Sequence, residues 1–120
     1  MNNKDQMEEY IKYGISGIPE IKKEEKKKFL GEFKERVVLA VEGRYLNDEE
    51  IFEKIEESLK NQIVHKIIVN ASLNSSLRGK CMRLAKQYHK DFKLVRGESA
   101  IAIVLASKTA INQEDIYIKE

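Results

Sequence analysis

The sequence predicts one small α/β domain, a mixed sheet of about four strands carrying two helices and preceded by a helical N-terminal arm. Three observations carry this expectation. Short Val- and Ile-rich runs alternate with longer charged stretches that repeat apolar residues at helical spacing, giving the order β-α-β-α-β-β. The length of 120 residues is one domain's worth of chain, and 42% apolar residues suffice for a core. The last two runs are separated only by the turn Arg96-Gly97-Glu98, which makes the final strand antiparallel to its predecessor and its expected neighbour.

Residues 5–12 have Met7, Tyr10 and Ile11 on one side of a short predicted helix. Gly14, Gly17 and Pro19 then punctuate a turn or arm. Residues 22–30 are helical in propensity and densely charged, with Lys22, Lys23, Lys26, Lys27 and Lys28 against Glu24 and Glu25; Gly31 stops or bends them. Residues 35–41 form the first expected strand. Helix competes there, because Phe33, Val37 and Val41 recur every four residues. Asn47 and Glu50 have capping-box spacing, so a helix is expected from Asp48 to about Lys60, with Ile51, Phe52, Ile55 and Leu59 inward. The second strand, 63–71, contains Ile67-Ile68-Val69, a run suited to burial on both faces. A polar loop leads into a helix over 75–89 that turns Leu77, Cys81, Leu84 and Tyr88 to the core. Strands over 92–95 and 99–107 complete the sheet, and 108–120 reads as a turn followed by an edge segment. The expected organisation is thus one domain: arm 1–32, core 33–107 and C-terminal extension 108–120.

Composition excludes several classes of function. The 22 Lys and Arg nearly cancel the 20 Asp and Glu, so net charge alone gives little steering toward nucleic acid or membrane. One cysteine, Cys81, makes neither an internal disulfide nor a multi-thiolate zinc site, and His65 and His89 lie in separate elements; no metal and no cofactor are expected. Cys81 among leucines reads as a buried small hydrophobe, and His89 suits the negative end of a helix dipole. There is no Gly-rich phosphate loop and no nucleophile elbow, so no catalytic residue is assigned. The N-terminus lacks a signal-peptide apolar region and no run is long enough to span a bilayer, which predicts a cytoplasmic location and no membrane partner.

Two places can bind something. The helix near 75–90 carries Arg78, Lys80, Arg83, Lys86 and Lys90 and no acid, while helix 48–60 is strongly acidic. A basic helix face can track phosphates, and the cluster 22–28 offers a second such surface. Equally, a basic face is an ordinary solvated helix back, and the acid–base asymmetry suits self-association or a protein partner. The second place is the end of the second strand and the start of the next helix, Asn70, Ser72, Asn74, Ser75 and Ser76, with Arg96 and Glu98 at the same edge. Ligands of open α/β sheets favour such edges, although these residue types also cap helices and turn loops.

Residues 17–41 carry Gly17-x-Pro19, Phe29-Leu30-Gly31, Phe33, Glu35-Arg36 and Val37. This pattern, continued in 66–73 and 101–118, resembles the YueI-like family (DUF1694) of small bacterial proteins of unknown function. The resemblance implies the same β-α-β-α-β-β core and leaves the roles of these motif residues open. It also implies a fold shared with RNA-binding ribosomal proteins and with the chorismate mutase of Bacillus, an analogy that assigns neither activity. Those RNA binders use a Gly-rich turn and helix start after the first strand. Here that region, 43–50, opens its helix on Asp48, Glu49 and Glu50 and would repel phosphate. The 17–36 segment reads as an arm docked on the sheet, with Glu35 and Arg36 at the strand's beginning. The leading expectation is a non-enzymatic binding or regulatory module with a protein partner or a second copy. RNA binding through the basic helix is the first alternative, and a small-molecule enzyme at the 70–76 and 96–99 edge the second.

Overall fold

The computed structural model describes residues 20–111, 113 and 115–118. The expected helix over 5–12 and the motif residues Gly17 and Pro19 lie outside them. Among the described residues three α-helices, α1 (Glu20–Lys28), α2 (Glu49–Leu59) and α3 (Ser75–Gln87), accompany four strands, β1 (Val37–Glu42), β2 (Lys66–Asn70), β3 (Asp91–Val95) and β4 (Ile101–Ala106). The sheet order is β1-β4-β2-β3; β4 is antiparallel to both neighbours and β3 is parallel to β2.

The expected antiparallel last strand is present, but its neighbours differ from the expectation. β4 inserts between β1 and β2 and does not pair with β3. The reason is burial: all six residues of Ile101–Ala106 are apolar and buried, whereas β3 exposes Asp91, Lys93 and Leu94. The most apolar run takes the centre and the amphipathic run takes the edge.

Alternation along the strands divides the core in two. Ile67 and Val69 face α2 and α3, joined by Ile51, Ile55, Leu59, Cys81 and Ala85. Ile68, between them, faces the other way with Val37, Ala40, Ile101, Val104, Phe29, Leu30 and Ile116. The second face is therefore covered by the segment after α1 and by the chain's C-terminal part. That part also guards the β1 edge, where Ala40 N–H donates to the Ile116 carbonyl (2.6 Å) and Ile118 N–H to the Ala40 carbonyl (3.2 Å).

Element starts are set by short polar side chains. α2 is capped by Asp48, whose carboxylate accepts from the Glu50 N–H at 2.9 Å. The N-cap expected at Asn47 is thus displaced by one residue to Asp48, and no capping box forms, since the residue three further on is Ile51. Asn74 caps α3 by accepting from the Leu77 N–H at 2.9 Å. The competition between helix and strand at 33–41 resolves into both: one 3-10 turn over Lys34–Arg36, then β1.

Two helices are followed by a non-glycine residue in the left-handed region. After α1, Leu30 has φ 56 and Gly31 φ 93, and the Gly31 N–H reaches back to the Lys26 carbonyl at 2.6 Å. After α3, His89 has φ 58; its N–H bonds the Lys86 carbonyl and the Lys90 N–H bonds the Ala85 carbonyl. Both are Schellman-type terminations. At α1 the strain places Leu30 in the core, where it is 1% exposed. His89 is exposed just past the helix end.

Candidate functional site

Among the described residues a concavity lies where the arm meets the end of the sheet that carries the β3–β4 loop. It is a groove of about 1000 Å³ between α1 and the 95–100 loop that links β3 to β4. Lys23, Lys26, Lys27 and Lys28 form one wall; Arg96, Glu98 and Ser99 lie on the other; Leu30, Val95 and Ala100 supply apolar surface. The groove thus unites two features that the sequence separates by about seventy residues, the 22–28 basic cluster and the 96–99 turn.

Local structure explains why the walls meet. The Schellman turn at Leu30-Gly31 reverses the chain and drives Phe29, Leu30 and Phe33 into the core (each 2% exposed or less), so α1 is anchored at its C-terminal end. The Ser99 hydroxyl donates to the Lys28 carbonyl at 2.6 Å and accepts from the Ile101 N–H, tying the helix end to the start of β4. Glu25 accepts from the Lys34 N–H at 2.8 Å, bracing the reversal. Glu32, 3% exposed, accepts from the Phe33 N–H and pairs with the Lys66 ammonium at 2.9 Å. The main chain of the motif residues helps: the Glu35 carbonyl accepts from Ile111 and the Arg36 carbonyl from Ser107.

Electrostatically the groove is crowded with cations. Lys26 is partly buried, with its ammonium 4.6 Å from the Phe33 ring centre. Burial pushes the Lys26 pKa below the ordinary lysine value; Glu32 opposes the shift, while Lys93, Lys66 and Arg36 add to it. Lys28 lies 5.4 Å from the Tyr117 ring and 5.6 Å from that of Phe29.

The 70–76 residues are placed differently from the 96–99 turn. Asn70 is 1% exposed, and its amide nitrogen lies within 3.5 Å of the carbonyl oxygens of Gly97, Ser99 and Ile101. Its oxygen accepts from the Ser72 N–H. Asn70 is therefore a buried post that shapes the loop, and Asn74 is occupied as a cap. Ser72, Ser75 and Ser76 are exposed at the start of α3 and do not line the groove. Arg96 and Glu98 do.

The basic helix faces its acidic neighbour. Lys80 lies 4.0 Å from the Phe52 ring centre on α2, Lys90 donates to the Asn61 carbonyl at 3.1 Å, and Tyr88 donates to Glu56 at 2.6 Å. The hydrogen bond to Glu56 raises the Tyr88 pKa. Two of the basic side chains read in the sequence are thus occupied inside the molecule, by a ring and by a backbone carbonyl. Arg83 and Lys86 remain exposed, and Arg78 is half-buried. They sit with α3, across the sheet from α1, so the two basic clusters do not form one surface. Burial holds the Cys81 thiol at a pKa of about 11. Among the described residues no group of three His, Cys, Asp or Glu is placed to hold a metal, and no helix is long and apolar enough to cross a membrane.

Sequence reading missed Glu32, Lys66 and Lys93. Their signal is long-range, since only the strand register brings Lys66 and Lys93 beside the arm.

Comparison with known proteins agrees with this architecture. The family model described as "Protein of unknown function (DUF1694)" matches residues 4–117. The uncharacterized protein YueI of Bacillus subtilis (strain 168) is 31% identical over 121 residues, spanning 98% of this chain and 92% of that protein. The crystal structure of the YueI protein from Bacillus subtilis aligns with a TM-score of 0.77 at 31% identity, covering 97% of this chain and 93% of that one. With motif, strand succession and tertiary structure in agreement, the chain belongs to the DUF1694 family and is similar to YueI in both sequence and fold.

Proposed function

We propose that the protein is a non-enzymatic binding module whose groove takes a phosphate-bearing small molecule. One observation carries the reading: four lysines of α1 and Arg96 of the β3–β4 loop converge on a single concavity of about 1000 Å³, opposed there by Glu98 alone among the described lining residues. Lysine ammonium groups are point charges that suit phosphate oxygens, and arginine adds a planar fork. The apolar surface of Leu30, Val95 and Ala100 gives the non-phosphate part of a ligand somewhere to rest. No described lining residue is aromatic, so the groove offers no base-stacking platform of the kind single-stranded RNA uses. Lys80 on α3 and Lys90 just beyond it are engaged with the α2 side, which leaves that face poorer as a phosphate track. A regulatory role follows if occupancy changes how α1 sits on the loop.

Calorimetric titration with pyrophosphate, a nucleoside diphosphate and a short single-stranded RNA tests the reading. Small phosphates should bind, weaken with added salt, and lose at least about tenfold in affinity in the double variant Lys27→Glu/Arg96→Glu. Binding that survives this double variant, or RNA binding abolished instead by Arg83→Glu/Lys86→Glu, would overturn it.

A further inference from the structure

We propose that Lys26 is an acyl-acceptor site, modified by small acyl phosphates that the groove holds. The proposal rests on the reading of the groove as a phosphate site and adds a covalent regulation of it.

The geometry sets Lys26 apart from its neighbours. Lys23, Lys27 and Lys28 are exposed on the same helix, whereas Lys26 is partly buried, lines the groove and has its ammonium over the Phe33 ring. Burial is the main cause that lowers its pKa, and the positive charges of Lys93, Lys66 and Arg36 act against Glu32, which is itself paired with Lys66. An amine in such a place sheds its proton more readily than one in water. Arg96, on the facing wall of the same groove, supplies a cation suited to hold a leaving phosphate. Nucleophile and anion site therefore sit side by side, the arrangement that makes a bimolecular acyl transfer effectively local.

The step balances without redox chemistry. The neutral Lys26 amine attacks the carbonyl carbon of the acyl phosphate. A C–N bond forms, the bond from carbonyl carbon to the bridging oxygen breaks, inorganic phosphate leaves with that electron pair, and the amine's proton passes to water or phosphate. The product amide has lost one positive charge from the groove, so acylation should weaken the next anion's binding.

The test is site-resolved mass spectrometry of the full chain during the first minutes of treatment with acetyl phosphate, alongside a neutral acetylating ester. With acetyl phosphate, Lys26 should be acetylated at least about fivefold faster than the exposed Lys34 and Lys108. Arg96→Glu should reduce that preference more than it reduces the rate toward the neutral ester. Pyrophosphate binding measured in parallel separates the two ideas. If pyrophosphate binds the groove but Lys26 shows no rate advantage, the acyl-acceptor proposal is wrong and the phosphate reading stands. If Lys26 leads equally with both reagents and Arg96→Glu changes nothing, the amine is reactive without a held donor and the acyl-acceptor proposal fails; the phosphate reading fails only if pyrophosphate does not bind either.

Discussion

At the scale of single residues, polar groups that look available in the sequence turn out to be structural. Asn70 is the clearest case. Its amide group faces three carbonyl oxygens of the 97–101 stretch, an arrangement only a donor can satisfy. Asn70→Asp should destabilise the fold by about 2–4 kcal/mol in urea unfolding, since a carboxylate would face those carbonyls in a buried site, and should weaken ligand binding by loosening the Arg96 wall. Asn70→Ala leaves the same acceptors without their donor and should cost somewhat less. Cys81 gives a pH prediction. Its folded pKa of about 11 lies above the ordinary thiol value, so the thiolate is disfavoured in the folded chain. Stability is therefore undiminished below about pH 9 and falls as pH rises toward 11. Tyr88, also raised, acts in the same direction. Urea midpoints should fall between about pH 8.5 and about pH 10.5, and Cys81→Ala, though less stable throughout, should fall by less. A thiol reagent at about pH 8 should label Cys81 only on unfolding.

At the scale of elements, the arm is the informative piece. The sequence makes α1 legible as a charged helix and makes Gly31 legible as its end. The reversal itself depends on Leu30 accepting a positive φ, which its residue type disfavours and core burial overrides. Leu30→Ala should cost about 2–4 kcal/mol and release α1, seen as faster amide exchange over 23–28. Gly31 has φ 93 and open space where a β-carbon would stand, so Gly31→Ala is penalised only by its backbone, at about 1 kcal/mol. His89→Gly, at the left-handed position after α3, should stabilise by up to about 1 kcal/mol. The α2 and α3 elements were legible almost to the residue because their apolar spacing is strong. Their charges were harder to interpret, because contacts with a neighbouring element can occupy a charged side chain and no local pattern says which elements will be neighbours.

At the scale of the whole molecule, the fold class and the strand succession follow from composition and periodicity, while the sheet order does not. Nothing local in residues 101–106 states that they insert between β1 and β2; that outcome belongs to the competition among all four strands for the buried centre. The same holds for the groove. Its halves were visible as a lysine cluster and a Gly-containing turn, but their meeting depends on the Leu30 reversal, the Ser99 tie and the Asn70 post acting together. The lowered pKa of Lys26 gives the groove a pH signature: anion affinity should decline with rising pH earlier than an ordinary lysine would make it, because loss of this proton removes a positive charge. The sharpest test of the phosphate groove is an amide chemical-shift map of the full chain titrated with pyrophosphate. Saturable shifts concentrated on residues 23–31 and 95–100 are expected. Shifts concentrated on 75–90, or none at millimolar pyrophosphate, would contradict a binding groove between α1 and the β3–β4 loop.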